Sequence, residues 1–502
     1  MHIAKRFLLV LGAFAVIVGV NSAASGQAAA TAPSSDPDLK VQVEELKRIV
    51  QSQQSRIEKL ESERKSANES TSSIPERLAV VSARPTATAG TSQGEGQEAP
   101  SKKLDALEGK VKGFGPFSFS GDLRLRHESF LGGGAINAAE PGDRNRERIR
   151  LRFNATAKLN NEISGGFTLA SGDFGDPITT NATETGFFTR KPIGIDRAWA
   201  TYQPAFFKRL SVTAGKFAYT WYRTEMTFDN DINFEGVSEQ VVWDWQNRVL
   251  SHLGIVGLQL PLFEVSGGPD SSIVGGQIQT GWRVLPKVRV TADAAFYDYL
   301  NPNAIAQNQT NGNGSATQGT PTGQGGNFGF SAAALTNSSA LINGSRQFGS
   351  GFGIVDAVIR VDLDTHIKRF PLSTLFDFAE NTRACQNRGP FLAAGVSINC
   401  NPRDREAYWA EAQFGQTIER GDVRFGYTFA RIEREAVVAA FVASDIRQGT
   451  NVAQHRIEAA YQANRNVTLN FTTFLGRQLI TAQSATPERR LTRMQFDVNY
   501  KF

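Results

Sequence analysis

The sequence predicts an all-β protein: a transmembrane antiparallel β-barrel of about sixteen strands, preceded by a short α-helical coiled coil. Three observations carry this reading. Segments near ten residues long alternate strictly between polar and apolar side chains, the connections alternate between short and long, and the composition is too polar for membrane helices. In the final residues LTRMQFDVNYKF, Met494, Phe496, Val498, Tyr500 and Phe502 share one face of a strand, and Arg493, Gln495, Asp497, Asn499 and Lys501 share the other. Successive strand side chains point to opposite sides, so this ribbon has one apolar and one strongly polar face. In a soluble sandwich the apolar face would form a core. In a membrane barrel it meets lipid and the polar face borders water.

The chain opens with Lys5 and Arg6, an apolar run from Phe7 to Val20 and small residues around Ala23–Gly26, so residues 1–26 read as a secretory signal. The apolar run falls short of the roughly 18 residues expected of a spanning helix. The chain has 47 Gly, 34 Phe, only 3 Met and a mean hydropathy of −0.29. That negative average suits a barrel, in which half of every strand is polar. A net charge of +5 is modest, and export to the envelope argues against a nucleic-acid partner. The two cysteines, Cys385 and Cys400, are close in sequence and exported, which favours a disulfide closing one loop. The histidines His2, His127, His252, His366 and His455 are scattered, so no metal site and no cofactor is expected.

Leu39, Val43, Leu46, Val50, Gln53, Ile57 and Leu60 step by alternating fours and threes, a heptad seam that places a coiled coil over 36–64. At about 1.5 Å per residue this rod spans on the order of 35 Å. Residues 65–100 lose that periodicity and become rich in Ser, Thr, Ala, Gly, Glu and Pro, and with the short KKLDALEGKVKG stretch that leads into the barrel they make 65–114 a flexible linker.

From 115 to 502 the chain reads as strand after strand, near 117–128, 147–159, 162–171, 195–202, 210–218, 234–243, 248–260, 273–283, 287–298, 353–363, 372–380, 406–418, 421–434, 453–463, 466–476 and 491–502. Most have the length a tilted strand needs to cross hydrocarbon. The pattern is less clean at 234–243, 248–260 and 372–380, and strict alternation would turn His252 toward lipid. Connections such as 160–161, 284–286, 419–420 and 464–465 are short. Those near 129–146, 172–194, 219–233, 261–272, 299–352, 381–405, 435–452 and 477–490 are long. Outer-membrane barrels have short periplasmic turns and long external loops, and an even strand count leaves both barrel ends in the periplasm beside the coiled coil.

A barrel of this size leaves room for an aqueous channel, so the lumen-facing charges matter most. On the alternation, Asp122, Arg124 and Arg126 point inward on the first strand and Arg148, Arg150 and Arg152 on the second. Side chains two apart on one face stand about 6.6–7 Å apart. Each arginine would cost about 2–4 kcal/mol near the lipid midplane, so this ladder faces water or protein. It can be a basic pore wall, a set of ion pairs that holds the barrel's shape, or both. The loop AYTWYRTEMTFDNDINFEG mixes aromatics with Glu225, Asp229, Asp231 and Glu235; folded into the lumen, it would set carboxylates opposite the arginines. No HExxH, GxSxG or phosphate-binding glycine loop is present, and no enzyme activity is expected.

The block IDRAWATYQP (195–204), which contains Arg197, together with VTAGKF (212–217) and the W-Y-R-T…F-D-N-D-I-N-F-E-G run (221–236), resembles the putative porin family of Gram-negative bacteria. GPFSFSGDLRLRHE (115–128) and the terminal Phe502 match the same pattern. The resemblance implies a sixteen-stranded homotrimeric diffusion pore in the bacterial outer membrane, passing small hydrophilic solutes and ions. It also implies that the third external loop narrows the channel. A coiled coil ahead of the barrel also resembles phosphate-selective porins, although here the basic residues are mostly Arg and are mixed with acids. The remaining alternatives are an anion- or phosphate-preferring pore, a protein whose rod contacts peptidoglycan and tethers the outer membrane to the cell wall, and a barrel-embedded hydrolase.

Overall fold

The computed structural model describes residues 116–132, 143–173, 176–184, 187–246, 249–264, 268–310, 336–479 and 490–502. The expected signal, coiled coil and linker lie outside the described residues. Sixteen long strands follow in order: β1 (Phe117–Leu131), β2 (Arg144–Lys158), β3 (Ile163–Ser171), β4 (Ile193–Tyr202), β5 (Leu210–Phe217), β6 (Phe234–Asp244), β7 (Leu250–Phe263) and β8 (Ser271–Leu285) form the first half. The second half is β9 (Val288–Leu300), β10 (Phe352–Leu363), β11 (Leu372–Asn381), β12 (Glu406–Gly415), β13 (Val423–Ile432), β14 (Val452–Asn464), β15 (Val467–Gln478) and β16 (Leu491–Lys501). Each strand runs antiparallel to the next, and β1 pairs with β16 from Asp122 opposite Lys501 to Leu131 opposite Thr492, which closes the barrel. Closure joins the first and last strands, so neither is left as an open edge.

The burial pattern is inverted relative to a soluble fold. Leu125, Ile278, Ile359, Tyr427 and Phe496 are exposed on the outer face, while their inward neighbours Arg126, Gln277, Val358, Thr428 and Asp497 are buried. Most turns at the end holding residue 116 and Phe502 are short and most connections at the other end are long, but 264–270, expected to be long, is shorter than the opposite-end turn 364–371. The longest, 301–351, carries the helix Asn303–Thr310 and a small hairpin of Ser339–Ile342 with Ser345–Phe348.

Two long loops fold inward: loop 3 (218–233) and loop 7 (433–451). Trp221, Met226, Phe228 and Ile232 of loop 3 and Val437, Phe441 and Ile446 of loop 7 join one buried apolar cluster. The same cluster takes Val256, Leu258 and Leu260 of β7, Ile273 of β8, and Tyr297 and Tyr299 of β9 from the inner wall. Phe228 lies 5.2 Å from Phe234 and 5.1 Å from Tyr297, ring centre to ring centre, and Phe441 lies 6.0 Å from Tyr299. This apolar inner patch corrects the expectation for His252. On β7 the inward set is Val256, Leu258 and Leu260, and His252 shares its parity. Its ring therefore faces the lumen side, where Nδ1 lies 2.7 Å from Asp244 Oδ1. The apolar side of β7 is not its lipid side at this level, because the loops supply an oily partner from within.

Candidate functional site

Loop 3 starts and ends at a pair of glycines. Gly215 and Gly236 sit directly opposite each other across β5 and β6, with φ of 110° and 132°. A Cβ at either would lie 2.3 Å or less from a backbone carbonyl oxygen, of Ala198 and Gln259 respectively, so only glycine permits this crossing. Phe217 and Phe234, the last and first strand residues, then turn inward beneath the loop's aromatic cluster.

From that foot loop 3 reaches several walls of the lumen. The Tyr222 N–H donates to Gln277 Oε1 of β8 at 2.8 Å. Thr227 Oγ1 donates to Asp356 Oδ2 of β10 at 3.0 Å, and Thr224 Oγ1 donates to Asp377 of β11. Asp356 and Asp377 are both fully buried, and each accepts one threonine hydroxyl on its Oδ2 where water does not reach. Across the lumen Glu225 pairs with Arg456 of β14 at 2.6 Å. Asp231 accepts hydrogen bonds from Thr180 N and Oγ1 at 3.1 and 3.2 Å and lies 3.9 Å from Arg152 of β2.

Loop 7 is stitched to loop 3 through the backbone. The Asp229 N–H donates to Phe441 O at 2.6 Å, and the Ala443 N–H donates to Glu225 O at 3.1 Å. Asp229 itself is buried, its carboxylate accepting from the Asp231 and Ser444 N–H groups at 2.7 and 2.6 Å. Burial, reinforced by the charge of Asp231, pushes the Asp229 carboxyl well above the usual carboxylate range. Its job in this geometry is to join two loops, and it does not present a charge to open lumen.

The arginine ladder divides into parts with different surroundings. Arg126 is buried and grips Asp497 of β16 with two bonds, of 2.7 and 2.8 Å. Beside it the fully buried Glu128 accepts from Arg146, Arg493 and Gln495, and Arg148 stands 3.8 Å away. Arg148 is buried as well and donates to Asn181 O at 3.2 Å. Asp445 of loop 7 reaches this network, 2.6 Å from Arg493 and 3.5 Å from Arg126. Lower on the wall Arg150 and Arg152 share the two oxygens of Asp122 at 2.8 Å each. Arg124 bonds to Asn181 of the 172–192 loop and is not among the arginines in carboxylate contact. On β4 the pairing with β3 shifts register between Thr168 and Leu169, so Asp196 and Arg197 both face inward; Asn233 bonds Arg197 Nε at 2.7 Å and Asp196 at 2.9 Å.

Glu235 is a correction. Phe234 goes inward with the cluster, so its neighbour falls on the outer face, where Glu235 is opposite Lys216 and 3.2 Å from it, with its side chain 67% exposed. It does not join the lumen carboxylates. Cys385 and Cys400 are joined by a disulfide with Cα atoms 5.7 Å apart, inside the long loop 382–405. Sequence reasoning did not assign Glu128, Asp445, Asp497, Arg456 and Arg493 to the site. The available signal was the apolar run EAVVAAFVA (435–443) inside a long loop, which has to be buried somewhere.

Fold and loops together define a transmembrane β-barrel whose lumen is lined with charge and partly filled by its own loops. The family model described as "Putative porin" matches residues 134–502, and the chain belongs to that family. Family and fold are those of an outer-membrane channel rather than an enzyme. No curated relative matches. Among solved structures the chain is similar to OprB of Pseudomonas putida at high pH, with 9% identity, 80% of this chain and 97% of that chain covered and a TM-score of 0.46. It is also similar to Salmonella typhi OmpF in complex with daunomycin (10% identity, 77% and 97% covered, TM-score 0.42). A third is the outer membrane channel DcaP of Acinetobacter baumannii (10% identity, 77% and 97% covered, TM-score 0.39).

Asp445 gives a test with a definite sign. Burial opposes its charge, but Arg493, Arg126 and Arg124 outweigh that and hold its carboxyl well below the usual range. A depressed pKa stabilises the folded state above the unfolded value, near 4, and that stabilisation is lost as pH falls through the gap. Asp445→Asn is expected to cost about 1–3 kcal/mol at pH 7. Thermal unfolding of both proteins in detergent should show the difference shrinking from pH 7 to pH 3; a constant difference would contradict the role of this charge.

Proposed function

We propose that this protein is an outer-membrane porin, a water-filled path for passive diffusion of small hydrophilic solutes and ions. In this reading the path runs between the arginine-rich wall of β1, β2 and β16 and the inner edge of loop 3. The carrying observation is that loop 3 crosses the barrel and sets Glu225 and Asp231 toward arginines of two different walls, Arg456 and Arg152. These contacts fix the inner edge of loop 3 in the lumen, and the narrowed path beside it screens solutes by size and by the charge of the arginine-rich wall.

The basic wall is only partly neutralised. Inward positions on β1, β2 and β16 include Arg124, Arg126, Arg146, Arg148, Arg150, Arg152 and Arg493, against the carboxylates of Asp122, Glu128, Asp497 and the loop residue Asp445. This excess of cations over anions favours a modest preference for anions. This reading deepens the diffusion pore, and nothing in the arrangement singles out phosphate.

Part of the outer wall supports a trimer. Around β3–β8 the outward positions include Gly165, Ala198, Ala200, Ala214, Gly257 and Gly276, a smoother face than the aromatic belt elsewhere. Glu239, midway along β6, falls on the same outward face. A carboxylate facing lipid there is costly, and a neighbouring copy of the chain would remove that cost. The native mass in mild detergent should equal three chains; a single-chain mass at all detergent concentrations would remove this part.

Purified protein in planar bilayers should give stepwise conductance proportional to salt, and silent bilayers would overturn the reading. Replacing Arg124, Arg150 and Arg152 by Gln should shift the reversal potential toward cations, because these stand nearest the proposed path. Arg148→Gln should instead lower stability by about 1–3 kcal/mol with little change in selectivity, since that side chain is buried in the wall. Equal reversal potentials for wild type and the triple variant would exclude a selectivity role.

A further inference from the structure

We propose that the long-loop mouth of the lumen carries a binding subsite for small aromatic carboxylates. The inference rests on the channel reading above and adds a solute class to it. A cavity of about 210 Å³ lies between loop 7 and the inward faces of β1, β2, β14, β15 and β16. Four arginines line it, Arg144, Arg146, Arg447 and Arg493, against one carboxylate, Asp445. Asp445 is already engaged by Arg493, Arg126 and Gln495. The cavity therefore has donor capacity for an anion and little acceptor capacity for a cation.

Arg146 and Arg493 are held in place before any solute arrives. The guanidinium groups of Arg144, Arg146 and Arg493 stand 5.9, 5.2 and 5.1 Å from the centre of the Phe130 ring, and Arg493 lies 5.7 Å from that of Phe474. Glu128 beneath them holds Arg146 and Arg493 from the far side. Arg144 has no carboxylate in ion-pair range among the described residues. Fixed forks of donors match a carboxylate's two oxygens and lose little freedom on binding it.

The rest of the lining decides the kind of anion. Phe130, Phe474, Ile446 and Leu491 supply an apolar surface beside the guanidinium groups. A phosphate or acetate ion would use the arginines and leave that surface unfilled. A ring bearing one carboxylate uses both. A cavity of about 210 Å³ has room for a single-ring acid.

Benzoate is the probe, with acetate, inorganic phosphate and benzyl alcohol as controls for charge without ring and ring without charge. Calorimetric titration of the full-length protein in detergent should show saturable benzoate binding, at least about tenfold tighter than acetate or phosphate. Arg144→Gln and, separately, Arg447→Gln should each weaken it several-fold. In bilayers, benzoate added on the long-loop side should interrupt the chloride current, and either variant should restore it while the chloride conductance persists. Binding of benzoate no tighter than phosphate, or tight binding unchanged in both folded variants, would overturn the proposal. Silent bilayers with intact benzoate binding would overturn the channel reading alone.

Discussion

Backbone amides cannot be left unpaired in hydrocarbon, and most features of this chain follow from that constraint. Closing β1 onto β16 pairs the first and last strands, and closure fixes the strand parity: away from a bulge such as Asp196–Arg197, one side chain meets lipid and the next meets the lumen. The exposed Leu125, Phe153 and Phe496 and the buried Arg126 and Asp497 are direct results. Ten registered residue pairs, from Asp122–Lys501 to Leu131–Thr492, hold the first and last strands together, so the seam is as long as an ordinary internal pairing.

Inside the barrel two kinds of contact share the space. On the β7–β10 side, the aromatic faces of loops 3 and 7 pack on Leu258, Leu260, Ile273 and Tyr297 and gain as any soluble core does. On the β14–β2 side, the same loops end in carboxylates that meet arginines, through Glu225 and Arg456 and through Asp445 and Arg493. Ion pairs that are this buried must be multiply bonded to offset desolvation. Glu128 meets that condition with donors from Arg146, Arg493 and Gln495. The loops are therefore pinned at both flanks, by oil on one and by charge on the other. Asp445 and Asp229 give those pins opposite pH signs. The Asp445 contribution is lost toward acid, whereas Asp229, whose carboxyl is raised, contributes most when protonated and loses that as pH rises.

The barrel was legible because its period is local. Alternation at 287–298 and 466–476 anticipated β9 (Val288–Leu300) and β15 (Val467–Gln478) to within a few residues, and most of the long and short connections fell at opposite ends. The difficult stretches were those where polarity stops reporting direction. Val256, Leu258 and Leu260 are apolar and inward because loop residues far away in sequence cover them, and this turned the expectation for His252 around. Glu235 misled for a related reason. Its acidic neighbours Asp229 and Asp231 belong to the loop, but the strand resumes at Phe234 and parity sends Glu235 outward. The inward fold of loop 7 depends on contacts between residues more than two hundred positions apart, such as Asp229 with Ser444, which no periodicity encodes.

The account stands on which side of the wall meets water, and neighbouring residues on β16 test that directly. Val498 points outward and Asn499 inward, opposite Arg124. In protein reconstituted into vesicles, Asn499→Cys should react with a small membrane-impermeant thiol reagent, and Val498→Cys should react only with a lipid-soluble one. Equal reaction of both with the impermeant reagent, or the reverse order, would contradict a lumen bordered by the polar face.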